Sequence, residues 1–311
     1  MERNRKWTSI LSSSLRNAVP STKKSCLWLL RLMIPVSLAV TLMQHFGVLG
    51  WMAQVLNPLF VHIGLPGESA VVFISGAMAG TYAGIAAMMS VPLAMKQATI
   101  IGVMIALCHA LPMECAVNKM TGSSFWKMAF IRVVMAFVAA LCLNALLPEM
   151  TGMYMYMGAP ADSTLMEVMH TWVVAQVKMS IMVFLIIYFL MVFQRLMEEL
   201  RLMRPLSHLL SPLMVVFGLP RHAAYMWLVG NVLGVSYGSA VMVEMKDKGL
   251  ITRDEANDVN YHLIMNHSLV EDTIAFAVTG ISAAIMVPVR VVLAMVLVWA
   301  RKGVVRLKKH S

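Results

Sequence analysis

The sequence predicts an all-α, polytopic integral membrane protein, and three observations carry that prediction. The first is composition: 59% of the 311 residues are hydrophobic and only 13% are charged, with a mean hydropathy of +0.76. That is more apolar surface than a soluble domain of this length can bury. The second is the division of the chain into apolar runs of roughly the 20 residues that a helix needs to cross a bilayer. The third is the placement of charge. The formal +10 collects at the two ends and in a few loops, as in chains oriented by Lys and Arg on the cytoplasmic side. No basic stretch is interleaved with aromatics, so the charge points to a membrane and not to nucleic acid.

In chain order, residues 1–26 read as a basic interfacial segment. Arg3, Arg5, Lys6, Arg16, Lys23 and Lys24 accompany Trp7, Ile10, Leu11 and Leu15 at helical spacing, a pattern suited to lying flat on the inner surface. The polar, Ser-rich stretch before the first apolar run is too long for a cleavable signal. Residues 27–148 form a first repeat. It opens with a span at about 27–49 and continues with a short segment ending near Pro66. A small-residue stretch at 68–90 then carries Gly76, Gly80 and Gly84, spacing that lets backbones approach closely. Beyond Pro92 a helix carries His109, and a span at 125–147 closes the repeat. Residues 149–170 hold Glu149, Asp162 and Glu167 with Tyr154, Tyr156 and Pro160, but no Lys or Arg, and form the expected external loop. Residues 171–300 form the second repeat: a span at 171–193, the basic Arg195, Arg201 and Arg204, then Gly230, Gly234 and Gly238. Thr252 to Glu255 follows as a capping box, opening a helix that carries His267, before a last span. Residues 301–311 are a basic tail.

The halves correspond residue by residue. Setting 57–88 against 211–242 gives twelve identities in thirty-two positions, including Gly-Leu-Pro and the three spaced glycines. With the offset four larger, His109-Ala-Leu-Pro-Met-Glu114 aligns with His267-Ser-Leu-Val-Glu-Asp272. Thr121-Gly122 then aligns with Thr279-Gly280, and Arg132 with Arg290. Duplication of this kind is a sign of secondary transporters. Charge sets the relative orientation. If the glycine stretches crossed fully, Arg195–Arg204 would lie outside and the acidic loop inside. As re-entrant hairpins they leave both termini, Arg195–Arg204 and Lys246–Arg253 in the cytoplasm, with the halves inverted. Lys96 alone fits this poorly.

A His and a carboxylate are costly at membrane depth, so His109 with Glu114 and His267 with Asp272 are the leading candidates for a substrate or ion site. Four roles are open to them: hydrogen bonds to a solute, proton coupling, metal binding, or interhelical bonds that serve the fold alone. Pro112 is expected to break the first helix and bring His109 to Glu114; Val270 gives the second motif no equal reason to break. Glu271, Asn231, Asn266, Tyr237 and Tyr82 are expected to line the same cavity. Gly76, Gly80, Gly84, Gly230, Gly234 and Gly238 are expected at close packing contacts. Arg132 and Arg290 are expected to snorkel or to pair with carboxylates. Cys26, Cys108, Cys115 and Cys142 lack zinc or disulfide spacing and read as small hydrophobes. No nucleophile–base arrangement is discernible, which argues against an enzyme, and no cofactor motif is present.

This doubled pattern resembles the nucleoside-recognition, or Gate-domain, membrane proteins of prokaryotes. The glycine-rich hairpin 64–90, His109–Glu114, Thr252–Glu255 and His267–Asp272 carry the resemblance over about residues 50–300, as two Gate-like units. That family includes the spore maturation proteins A and B, and is similar to the membrane part of ferrous-iron transporters. The chain lacks the Gly-x-x-x-x-Gly-Lys-Ser/Thr loop of a GTPase domain, so it encodes no nucleotide-driven cycle. The resemblance implies an ion-coupled transporter of a small polar, nucleoside-like solute in the inner membrane. A divalent-metal permease and a non-transporting assembly factor are the alternatives. Lipid and a small polar solute or ion are the expected partners, and a homo-oligomer is compatible with the pattern.

Overall fold

The structure, a computed structural model, describes residues 2–159 and 162–310; Pro160 of the expected external loop lies outside them. The regular elements among the described residues are all helices, with no strand. Five helical segments are long and apolar enough to cross a membrane: Leu11–His45, Met95–Met120, Phe125–Leu146, Leu165–Glu199 and Ala283–Leu307. The chain is a multi-pass membrane protein.

The first element corrects the expectation for the N-terminus. Residues 2–26 do not separate from the first span: α1 runs from Glu2 to His45 without a break, through Pro20 and Pro35. It packs antiparallel to α8 (Leu165–Glu199). The Ser37 hydroxyl accepts from Gln176 Nε2 at 2.6 Å and Trp172 Nε1 at 3.2 Å. Further along, Arg195 donates to Ser21 Oγ at 3.1 Å and Tyr188 to the Leu15 carbonyl at 3.2 Å. A partner helix thus runs along this segment, while Leu11 and Leu15 of the apolar stripe stay exposed. The side chains of residues 2–10, including Trp7 and Ile10, lie outside the described set.

After α2 (Val48–Val61), each glycine stretch folds back on itself. Helices α3 (Ser69–Ala79) and α4 (Thr81–Met89) turn at Gly80, whose φ of 101° suits a residue without a Cβ. Following α9 (Met203–Val216) and a short 3-10 turn, α10 (Ala224–Val232) and α11 (Val235–Asp247) turn at Gly234, with φ 97°. At 1.5 Å per residue, helices of 9 to 13 residues fall short of a ~30 Å hydrocarbon core. Backbone contact holds each pair together. A Cβ on Gly84 would stand 3.1 Å from Gly76 Cα, and one on Gly238 only 2.7 Å from Gly230 Cα. Gly80 and Gly234 therefore serve the turn and not the packing. A Cβ at Gly80 would meet nothing nearer than 4.0 Å, and one at Gly234 nothing within that distance.

Two broken helices cross between the hairpins. α5 (Met95–Cys108) gives way to α6 (Leu111–Met120) at His109-Ala110, and α12 (Arg253–Asn266) to α13 (Leu269–Val278) at His267-Ser268. They run in opposite directions. The start of α5 lies by the end of α13, where Met95 Cε is 3.9 Å from a Cβ built on Gly280. The start of α12 lies by the end of α6, where Asn260 Nδ2 donates to Thr121 Oγ1 at 2.6 Å and Ser123 donates to Asn257 at 2.6 Å. Each Thr-Gly pair closes a helix. Thr121 and Thr279 hydroxyls donate to the carbonyls three residues back, and Gly122 and Gly280 take φ of 103° and 98°. Straight helices α7 (Phe125–Leu146) and α14 (Ala283–His310) flank the crossing.

Charge separates along the long axis. Arg253, Arg301 and Lys302 gather where α12 begins, with Arg301 paired to Asp254 and Asp258. The loop after α7 lies at the other end. It is fastened to the start of α5 by Met95 N–H to Gly152 O at 3.1 Å and Tyr154 N–H to Leu93 O at 2.9 Å. This placement accounts for Lys96, which pairs with Glu149 of that loop at 2.9 Å.

Two predictions follow from this arrangement. In a cysteine-free background, single cysteines at Asp162 and Lys248 are expected to react with impermeant thiol reagents from opposite sides, Asp162 from outside; same-side labelling overturns the topology. Gly238→Ala, which drives a Cβ into backbone, is expected to cost about 1–3 kcal/mol and to lower the melting temperature. Gly303→Ala, on an open helical face, is expected to be neutral or to gain up to about 1 kcal/mol.

Candidate functional site

The two helix breaks share one construction. His109 and His267 end their helices in extended conformation, with ψ of 157° and 159°. The next residues, Ala110 and Ser268, are left-handed at φ 45° and 51°. The break precedes Pro112 and recurs beside Val270, so proline is not its cause. The chain instead bends where other groups take over the freed backbone. Ala110 N–H donates to the Gly76 carbonyl at 3.1 Å, and Ser268 N–H approaches the Gly230 carbonyl at 3.5 Å, so each break leans on a hairpin. The carbonyls left open on α5 and α12 are capped from the flanking helices. Arg132 Nε donates to Leu107 O at 2.9 Å, Arg290 Nε to Met265 O at 3.0 Å, and Arg290 Nη2 to His267 O at 2.6 Å. The histidines also fasten to their own helices. Nδ1 of His267 contacts Leu263 O at 2.7 Å, and Nδ1 of His109 lies 3.2 Å from Ala106 O and 3.3 Å from Ile105 O. A carbonyl only accepts, so each Nδ1 carries a proton, and each Nε2 is turned away from its own helix.

Both Nε2 atoms point at carboxylates. His109 Nε2 is 3.0 Å from Glu114 Oε1 and 3.8 Å from Asp272 Oδ2; His267 Nε2 is 2.9 Å from Glu114 Oε2. Arg132 Nη1 is 2.5 Å from Glu114 Oε2, and Arg290 Nη2 is 3.1 Å from Asp272 Oδ2. The imidazole centroids are 5.0 Å apart. Thus the acid of the first motif meets the histidines of both, and the halves are joined at their centre. The first hairpin adds Thr81, donating to Asp272 Oδ1 at 2.9 Å, and Tyr82, donating to Glu271 Oε1 at 3.4 Å. Arg132 and Arg290 are 0% exposed, and His109, Glu114, His267 and Asp272 are each 5% or less.

Not every expected residue joins this cluster. Asn231 donates to the Trp227 carbonyl at 2.9 Å, and Asn266 contacts His262 at 3.2 Å, itself bound by Trp227 Nε1 at 3.0 Å. Both asparagines are buried beside the crossing without contacting the paired motifs. Tyr237 is 63% exposed on α11, which corrects its assignment to the cavity. The two arginines, by contrast, are integral to the site. The sequence signal for them was spacing: each follows its carboxylate by 18 residues (132 − 114 and 290 − 272). Among the described residues, one group of donors lies close enough to share a metal ion: His109, Glu114 and His267, whose ligand atoms fall within 4.8 Å of one another. An open cleft of about 750 Å³, lined by residues including Arg204, His208, Arg221 and His222, contains none of the cluster residues.

Residues 26–124, from α1 through α6, match the Gate family model, described as nucleoside recognition. The chain is 29% identical over 276 residues to the uncharacterized membrane protein YvoD of Bacillus subtilis strain 168, a match covering 87% of this chain and 88% of that relative. No solved structure matches.

Removing either arginine strands a buried carboxylate and uncaps a helix break. Arg132→Ala and Arg290→Ala are each expected to cost about 3–5 kcal/mol, read as a large fall in melting temperature of the purified protein. Lys127→Ala, at the start of α7, is expected to change it little.

Proposed function

We propose, from the Gate domain that residues 26–124 of this chain carry, that the protein is an ion-coupled secondary transporter of a small polar solute or ion. The two halves act as inverted repeats, and cargo passes at the crossing of the two broken helices. One observation carries the reading. A compact set of two histidines, two carboxylates and two arginines lies fully buried where antiparallel helices break, and each half contributes to it. A fold needs no such set for its own stability, since a well-packed apolar core serves as well or better than buried ion pairs. Broken helices meeting near the bilayer midplane are, in contrast, how inverted-repeat transporters present backbone and side-chain groups to cargo. The concentration of Lys and Arg at the end where α12 begins supports an inner-membrane protein with both termini in the cytoplasm.

In the resting arrangement the cluster is closed to solvent on both sides. Access then requires one hairpin to withdraw from the helix break it supports, and the contacts of Ala110 with Gly76 and of Ser268 with Gly230 are those that open. Two short hairpins hinged at Gly80 and Gly234 make such a movement local, so the long α1–α8 pair can stay in place. Glu271, Asn231 and Asn266 beside the cluster supply further polar contacts for a solute once the site opens.

Transport is tested by uptake into proteoliposomes of labelled uridine, adenosine, small amino acids and divalent cations under imposed ion gradients. Flux of at least one cargo above protein-free liposomes is expected. Glu114→Gln and Asp272→Asn, which keep shape and an acceptor oxygen for the arginines, are expected to reduce it at least about tenfold, one RT ln 10 step of lost binding. Absence of any flux, together with a stoichiometric protein that co-purifies, would instead establish the assembly-factor reading.

A further inference from the structure

We infer that His109 Nε2, His267 Nε2 and a Glu114 oxygen, completed by Asp272 Oδ2, form a binding site for a divalent first-row transition-metal ion. The inference deepens the transport reading, on which it rests for the role of the metal as cargo.

The tautomers come first. Each Nδ1 is committed to a backbone carbonyl, His267 to Leu263 at 2.7 Å and His109 to Ala106 and Ile105 at 3.2 and 3.3 Å. That is the arrangement in which a ligating histidine is usually held: one ring nitrogen donates to the protein and the other is free for the ion. Two such Nε2 atoms face one carboxylate, all three donors lying within 4.8 Å of one another, and a cation placed among them is within reach of all three.

Both atoms that would complete the set are inward: His267 Nε2 and Asp272 Oδ2 are fully buried, within 3.1 Å of Glu114 and Arg290 respectively.

The distances agree with such a cation. Metal–nitrogen and metal–oxygen bonds of ~2.0–2.2 Å place tetrahedral ligands ~3.3–3.5 Å apart. The measured separations of 2.9, 3.0 and 3.8 Å bracket that edge, so small side-chain shifts complete the coordination. Carboxylates also stand beside the histidines to offset a cation: Glu114 and Asp272 both lie within 3.8 Å of His109 Nε2. Each arginine stands outside the proposed ligand set, neutralised by its own carboxylate and fixed by a backbone carbonyl. Two imidazoles with carboxylate oxygens favour Zn²⁺, Fe²⁺, Co²⁺ or Mn²⁺ over Mg²⁺ and Ca²⁺, which prefer oxygen alone. Cys108 and Cys115 are not needed for the set.

The test uses the full-length protein without a histidine tag, stripped with chelator. Co²⁺ is expected to produce the strong visible absorption of a four-coordinate nitrogen–oxygen site, unlike the pale six-coordinate aqueous ion, and Zn²⁺ is expected to bleach it. Zn²⁺ and Co²⁺ raise the melting temperature and Mg²⁺ does not. His109→Gln and His267→Gln each weaken binding at least about tenfold, the smaller loss seen when even a supporting group is removed; the double variant Cys108→Ser, Cys115→Ser retains it. The wild-type spectrum decides the matter even where a histidine variant fails to fold. No visible band and no melting shift with Co²⁺, Zn²⁺ or Mn²⁺ overturns the site, as does a full response in both histidine variants. The two readings fail separately. Metal bound without uptake into proteoliposomes sinks transport and keeps the site; uridine uptake without metal binding does the reverse.

Discussion

The structure depends on how a broken helix is paid for inside a membrane. Interrupting α5 and α12 leaves carbonyls without amide partners in a medium where water cannot replace them. Arg132 and Arg290, reaching in from α7 and α14, satisfy those carbonyls, and their charge in turn requires Glu114 and Asp272. The histidines sit at the break itself, so the carboxylates demanded by the arginines are already within reach of imidazole nitrogens. Helix break, cap, counter-ion and candidate ligand are therefore one construction, made twice and joined at the centre. The hairpins follow from it, since each break also rests on a glycine carbonyl that only a close backbone approach can deliver.

Most of the architecture was legible in the sequence because membrane helices obey two strong rules, length and charge placement. The twin motifs, which the structure brings together, stood out for a physical reason too: polar groups at membrane depth are few, so those that recur in register are conspicuous. What periodicity could not show was conformation within the motif. Pro112 looked like the agent of the break, yet Val270 stands in the equivalent place and the chain breaks there equally, because partners distant in sequence decide the matter. Arg132 and Arg290 are indistinguishable by composition from arginines that snorkel; only their equal distance from the two carboxylates marked them.

The glycines teach a related lesson. Four-residue spacing identifies a surface that can pack closely on a straight helix, but at Gly80 and Gly234 the chain uses the missing Cβ for a positive φ. Only their flanking neighbours use it for contact. Tyr237, three residues past the turn at Gly234, is exposed. In the N-terminal segment the amphipathic stripe said nothing of the polar side beside it: Leu11 and Leu15 stay exposed, while Ser21 and the Leu15 carbonyl meet α8.

The match between halves is also incomplete at one telling place. Thr81 and Tyr82 of the first hairpin hold Asp272 and Glu271, whereas the aligned residues of the second hairpin are Val235 and Ser236, and valine has no hydroxyl to offer. In the proposed transporter a perfect two-fold would make the states open to either side equal in energy. A hydrogen bond to a charged group is worth about 1.5–3 kcal/mol, so a bond that threonine can make and valine at the aligned position cannot would bias the empty protein roughly ten- to a hundredfold toward a single facing. The direction in which the carrier waits for its cargo would then be written in one threonine.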